Sequence, residues 1–287
     1  MTVPLGWVGL LVLQVASAPQ HPWVVQADSQ PLAERIAPPP GFVRAPLPAD
    51  SFGAWLRRLP VKAGRPDVRL HDGRLKGNQG AHHVVLDVDV GRANLQQCAD
   101  AVMRLRAEYL RATGRHDEIC FRFTSGQAAS WRRWRRGERP QVDGNNVRWR
   151  RTAAEDDSYA AFRRYLRTVF VYAGSYSLSR ELRPVAARGD VAAGDVFIQG
   201  GFPGHAVLVV DVARNASGEA RLLLAQSYMP AQDVHVLRNP GAGGPWYVWP
   251  DERLTTPEWT FGPDDHRRFG PRGCPAPLPP DARPLRP

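Results

Sequence analysis

A cysteine, two histidines and a side-chain amide are spaced so that folding could assemble a nucleophilic site. Cys98 starts a helical apolar stripe, His205 opens an apolar strand, and Gln226, Ser227 and His235 fall on the two strands that follow. A thiol near a helix N-terminus has its thiolate favoured by the helix dipole, and an imidazole across a cleft can take its proton. In that arrangement Cys98 is the nucleophile, His205 the general base, and Gln226 or Ser227 the group that orients the imidazole. The chemistry is hydrolysis of an amide or ester. Two plainer readings stand beside it: a structural cysteine on the buried face of its helix, or a cysteine bridged to Cys120.

Strand register is what would bring these residues together. The turn at residues 214–218 joins His205–Val212 to Arg221–Ser227, and setting Val212 against Ala220 puts His205 opposite Ser227 with Gln226 beside it. The next hairpin carries His235 into the same row. Asp211 shares the face of His205 but lies about 20 Å along the strand at roughly 3.3 Å per residue, too far to orient the imidazole.

Around that row, Asp195 and His235 are candidate substrate contacts, as are Trp131 and Trp134 from the Arg/Trp-rich run 131–136. Interleaved Trp and Arg can stack on bases or sugars. At helical spacing the same tryptophans instead face a core while arginines reach outward. A His-ligated metal hydrolase is a further alternative, drawing on His82, His83, His205 and His235 with Asp87 or Asp89, although neither His-Glu-x-x-His nor paired Cys-x-x-Cys occurs. Gly200, Gly201 and Gly204 precede a strand rather than a helix, which is not the geometry of a phosphate loop or dinucleotide fingerprint. No cofactor is expected.

The elements that must position the site follow from periodicity. Phe52, Trp55, Leu56 and Leu59 predict a helix behind Asp50 or Ser51, ended by Pro60. Val84 to Val90 alternates as a strand. Asn94, with Gln97 three residues on, predicts a capped helix carrying Leu95, Cys98, Val102, Leu105 and Tyr109 on one face and ending near Gly114. Ile119 to Phe123 alternates as a strand, Ser158 caps another amphipathic helix, and Ser177 to Leu182 forms a helical turn. Segments 195–199, 205–212, 221–227 and 234–238 then read as four strands whose short connections favour antiparallel pairing. The fold class is α+β, with N-terminal helices packed on a C-terminal antiparallel sheet.

Composition sets the boundaries. The chain has 287 residues, 43% hydrophobic and 9% aromatic, which excludes wholesale disorder. Its formal net charge is +10, carried almost wholly by arginine, since only Lys62 and Lys76 are lysines. A solvated basic surface is the simplest account, and no specific nucleic-acid partner is expected. Residues 1–18 have an apolar core and an Ala16-Ser17-Ala18 end in the form of a cleaved secretory signal. Residues 19–48 are proline-rich and read as a linker, 49–270 as one domain, and 271–287 as a disordered proline-rich tail. No later run is long enough for a membrane helix, and the expected location is periplasm or cell envelope. The alternative to an enzyme is a non-catalytic module that binds an envelope glycan or protein.

Longer motifs carry a family resemblance. Leu75-Lys76-Gly77-Asn78, the run from Asn94 to Leu110, Gly194-Asp195-Val196-Phe197-Ile198, Pro203-Gly204-His205-Ala206 and the run from Leu224 to Gln232 resemble bacterial proteins grouped as domain of unknown function 4846, from about Phe52 to Phe269. That resemblance implies a single domain and an envelope setting, and it supplies no catalytic residue. Locally, the Gly194-Asp195 and Gly204-His205-Ala206 segments and the order Cys, His, amide are similar to papain-like NlpC/P60 and CHAP amidases. This implies a papain-like layout and hydrolysis of an envelope amide or ester.

Overall fold

The computed structural model describes residues 21–270 apart from 24, 242, 250 and 251. The signal and tail segments read at 1–18 and 271–287 lie outside the described residues. Among the described residues, six helices, α1 (Leu32–Arg35), α2 (Phe52–Leu56), α3 (Cys98–Ala112), α4 (Trp131–Arg135), α5 (Tyr159–Tyr172) and α6 (Ser175–Glu181), accompany one large sheet and several two-stranded ribbons. The fold is α+β.

The central sheet runs in the order His82–Val85, His235–Leu237, Ala220–Gln226, His205–Arg214, Val196–Gln199, His266–Arg268, Arg183–Pro184. Neighbours along that order pair antiparallel. Val43–Arg44 pairs with the far end of the His205–Arg214 strand, and Trp246–Val248 pairs antiparallel with the start of the Ala220–Gln226 strand. The run Ala206 to Val210 is apolar at every position because both faces of the sheet are covered, which removes the usual in-out alternation. Ala206, Leu208 and Val210 belong to the core beneath the helices. Val207 and Val209 belong to a second core with Phe197, Leu222, Leu224 and Phe261.

Several elements begin where the sequence places them. Ser51 and Ser158 cap α2 and α5 by accepting from Ala54 N–H and Ala161 N–H. Other boundaries shift. The strand expected over Val84 to Val90 is His82–Val85, with Leu86 continuing only as an isolated bridge to Val61. The cap expected at Asn94 is at Gln97, whose N–H donates to the Asp100 carboxylate at 3.0 Å. Asn94 instead accepts from Ala231 N–H at 2.7 Å, tying the α3 approach to the sheet. Cys98 is therefore the first residue of α3 rather than one turn inside it.

Residues 21–48 are built into the fold instead of running free as a linker. Trp23, Leu32 and Ile36 are buried in the helix-side core, and Gln30–Pro31 pairs with Pro60–Val61. Proline blocks a helix interior but is compatible with an edge strand, so local composition misrepresents where this segment packs.

Candidate active site

Three strands converge on His205. Gln199 is its partner on one side, and on the other the Ala220–Gln226 strand brings up Gln226, which itself pairs with His235. The register differs from the expected one by one residue near His205, where Leu208 faces Ala225, and by two beyond a bulge between Val209 and Asp211, where Val212 faces Leu222 rather than Ala220. His205 and Gln226 still share a face, and His205 Nε2 lies 2.8 Å from Gln226 Oε1.

The direction of that hydrogen bond is fixed from outside. Lys76 Nζ donates to Glu258 Oε1 at 2.6 Å, and Gln226 Nε2 donates to Glu258 Oε2 at 2.7 Å. A carboxylate can only accept, so the Gln226 nitrogen must face Glu258 and its oxygen must face the imidazole. His205 Nε2 is consequently protonated, leaving the lone pair on Nδ1. That nitrogen has no hydrogen-bond partner among the described residues, and the residue as a whole is buried. Tyr228, Trp259 and Phe261 surround the ring at centroid distances of 4.8, 5.3 and 5.9 Å and exclude water from the amide–imidazole bond.

Burial, and to a lesser degree Lys76, push the His205 pKa down to about 4, partly opposed by the bond to Gln226. The imidazole is thus neutral and able to accept a proton at neutral pH. His235 is wholly buried, and burial drives its pKa down to about 3. Its Nδ1 donates to Asp233 O at 2.9 Å, and Gln226 Nε2 lies 3.4 Å from its Nε2. His235 therefore packs behind the amide of Gln226, where it has no route to a substrate.

Cys98 is a free thiol, while Cys120 is disulfide-bonded, so the two are not bridged to each other. The Cys98 residue is half-buried against the helix-side core. Burial first and Asp100 second push its pKa up to about 11, against the backbone N–H groups of Ala206, Ala99 and Cys98, which favour the thiolate. The thiol thus faces the N–H of the residue next to His205. No hydrogen bond joins it directly to the imidazole among the described residues. Tyr228 is close to both, with its ring against His205 and its hydroxyl in the field of Cys98.

Ser227 does not orient the imidazole. Its hydroxyl lies 3.0 Å from Gln96 O and 2.9 Å from Gln232 O, so it staples the strand end to the segment two residues before Cys98. Asp195 is a structural anchor: His266 Nε2 at 2.8 Å and Arg268 Nε at 2.5 Å occupy its two oxygens. Despite the opposing effect of burial, those two partners hold its pKa below the usual carboxylate range. Trp131 and Trp134 are buried against Tyr165, with Trp131 also edge-on to Phe162, and neither offers a face to a ligand. Asp211 does not share the face of His205, because the bulge turns it to the helix side, where Arg44 and Arg57 meet it.

Three of the residues proposed as metal ligands are otherwise engaged. His82 Nε2 lies 3.1 Å from Pro66 O, Asp87 accepts from Gln26 N–H and Ser29 Oγ, and Asp89 pairs with Arg104 and Arg163. Among the described residues no group of three or more His, Cys, Asp or Glu could hold a metal ion, and no helix is long and apolar enough to cross a membrane.

Lys76, Tyr228, Glu258 and Trp259 escape a periodicity reading because they lie on irregular segments far apart in sequence. The available signals were the Leu75-Lys76-Gly77-Asn78 motif for Lys76 and the run from Leu224 to Gln232 for Tyr228. No curated protein and no solved structure matched the chain. The family model described as domain of unknown function (4846) matches residues 32–268, which spans the central sheet, Cys98 and the whole His205 network: the chain belongs to that family.

Proposed function

We propose that this protein is an exported cysteine hydrolase that cleaves an amide or ester, with Cys98 as nucleophile and His205 Nδ1 as general base. The observation that carries the reading is the Lys76–Glu258–Gln226–His205 chain. It leaves a neutral imidazole with its free lone pair on Nδ1, at the strand end whose next N–H faces the only free thiol among the described residues. A layout in which a helix-terminal cysteine precedes a strand histidine and an amide on the next strand is the papain-like one. The disulfide at Cys120 supports an oxidising compartment.

In the acylation step Cys98 Sγ attacks the substrate carbonyl as its proton passes to His205 Nδ1. The N–H groups of Cys98 and Ala99, unpaired at the start of α3, stabilise the oxyanion. Collapse expels the alcohol or amine, which takes the proton from His205 and leaves a thioester on Cys98. Water then attacks the thioester, giving its proton to Nδ1, and the thiol returns. With the thiol pushed up to about 11, proton removal accompanies attack, and substrate binding must close the gap between sulfur and imidazole.

The test is a pair of measurements on the purified protein. Iodoacetamide at pH 7.5 should modify Cys98 in the native state, as read by intact mass, and Cys98→Ala should abolish hydrolysis of p-nitrophenyl acetate above the spontaneous rate. A thiol that reacts only after denaturation, together with unchanged ester turnover in Cys98→Ala, would overturn the assignment.

A further inference from the structure

We propose that the cavity beside the approach to α3 binds a small anion with an apolar body, a medium-chain or aryl carboxylate. The cavity has a volume of about 240 Å³ and is walled by Arg92, Arg163, Arg164 and Arg167 over an apolar floor that includes Leu95 and Phe170. No carboxylate lines it.

The four cations are not equivalent. Arg163 is held by Asp89 and Arg164 by Asp156, each at 2.8 Å. Arg92 and Arg167 are exposed and have no carboxylate partner among the described residues. Burial first, and then repulsion from Arg104, lower the pKa of Arg163. Burial penalises charge of either sign, but four guanidinium groups and no lining carboxylate make a field that favours an anion here.

Size and polarity define the ligand. Water takes about 30 Å³ per molecule in the liquid, so the cavity corresponds to roughly eight waters, enough for a chain of about eight carbons or a single ring. A bare inorganic anion would leave the apolar floor uncovered, and a neutral hydrocarbon would leave Arg92 and Arg167 without a counter-charge. An amphiphilic acid satisfies both. The inference is independent of Cys98 reactivity, because it concerns binding alone.

The experiment is calorimetric titration of the full protein with octanoate and, separately, with octanamide. Octanoate should bind saturably at one site, at least tenfold more tightly than octanamide, with affinity falling as salt is raised. The double variant Arg92→Ala/Arg167→Ala should weaken octanoate at least tenfold while leaving octanamide and the thermal midpoint unchanged, since both side chains are exposed. Absence of octanoate binding at low-millimolar concentration, equal binding of the two ligands, or an unaffected double variant would each overturn the proposal.

Discussion

His205→Ala should lower the ester kcat/KM by two to four orders of magnitude, the range that a positioned general base contributes. The pH profile separates this role from a merely structural one. A base with pKa near 4 is already unprotonated at neutrality, so activity should show no acid limb around 6.5 and should fall only as pH drops through about 4. Gln226→Leu should give a smaller loss and move that limb lower, because the bond to Gln226 favours the charged ring. Stability should fall in the same direction as activity but over a higher pH window. The folded His205 pKa of about 4 lies below the ordinary 6.5, so between those values the unfolded chain binds the extra proton and folding weakens as pH falls. That difference of about 2.5 pK units corresponds to roughly 3 kcal/mol lost on acidification, and His205→Ala should be spared that part of the decline. Turnover within twofold of wild type in His205→Ala would remove the imidazole from the mechanism.

Much of this site was legible because strands and helices announce themselves by period. The four strands from residue 195 to 238, the α3 stripe and the placing of Gln226 near His205 follow from apolar spacing and short connections, although the register expected there set Ser227 opposite the histidine. What was not legible depended on single hydrogen bonds or on distant chain. The one-residue bulge after Val209 is invisible in an apolar run, yet it turns Asp211 to the other face. The choice of Gln97 over Asn94 as cap was decided by Asp100 and by the competing demand of Ala231 N–H on Asn94. Glu258, which fixes the direction of the whole polar chain, arrives from a segment with no periodicity at all. Trp131 and Trp134 illustrate the opposite error. An Arg/Trp run looks like a binding surface, but the tryptophans at helical spacing fill the core, where Arg139 lies over the Trp134 ring at 4.1 Å.

Asp211→Ala should be strongly destabilising, costing about 3 to 5 kcal/mol, the range for removing one partner from a buried ion pair. Asp211 is fully buried and accepts from Arg44 Nε at 2.7 Å, Arg57 Nε at 2.6 Å and its neighbour Val212 N–H at 2.8 Å. Arg44 sits on the strand Val43–Arg44 and Arg57 at the end of α2, so one carboxylate joins the N-terminal segment, the first long-range helix contact and the bulged strand. Arg57 also donates to Ala45 O at 2.8 Å, and without Asp211 both guanidinium groups would stay largely buried and lack a counter-charge, with side-chain exposures of 23% and 15%. For a domain of this size each kcal/mol moves the thermal midpoint by about 2 to 4 °C, so a fall of roughly 10 °C is expected. Asp72→Ala provides the control: its ion pair with Arg74 is exposed, and solvent screening leaves such pairs contributing little to stability. A midpoint shift for Asp211→Ala no larger than that of Asp72→Ala in differential scanning calorimetry would show that the N-terminal segment is held by its apolar contacts, Leu32 and Ile36, rather than by this carboxylate.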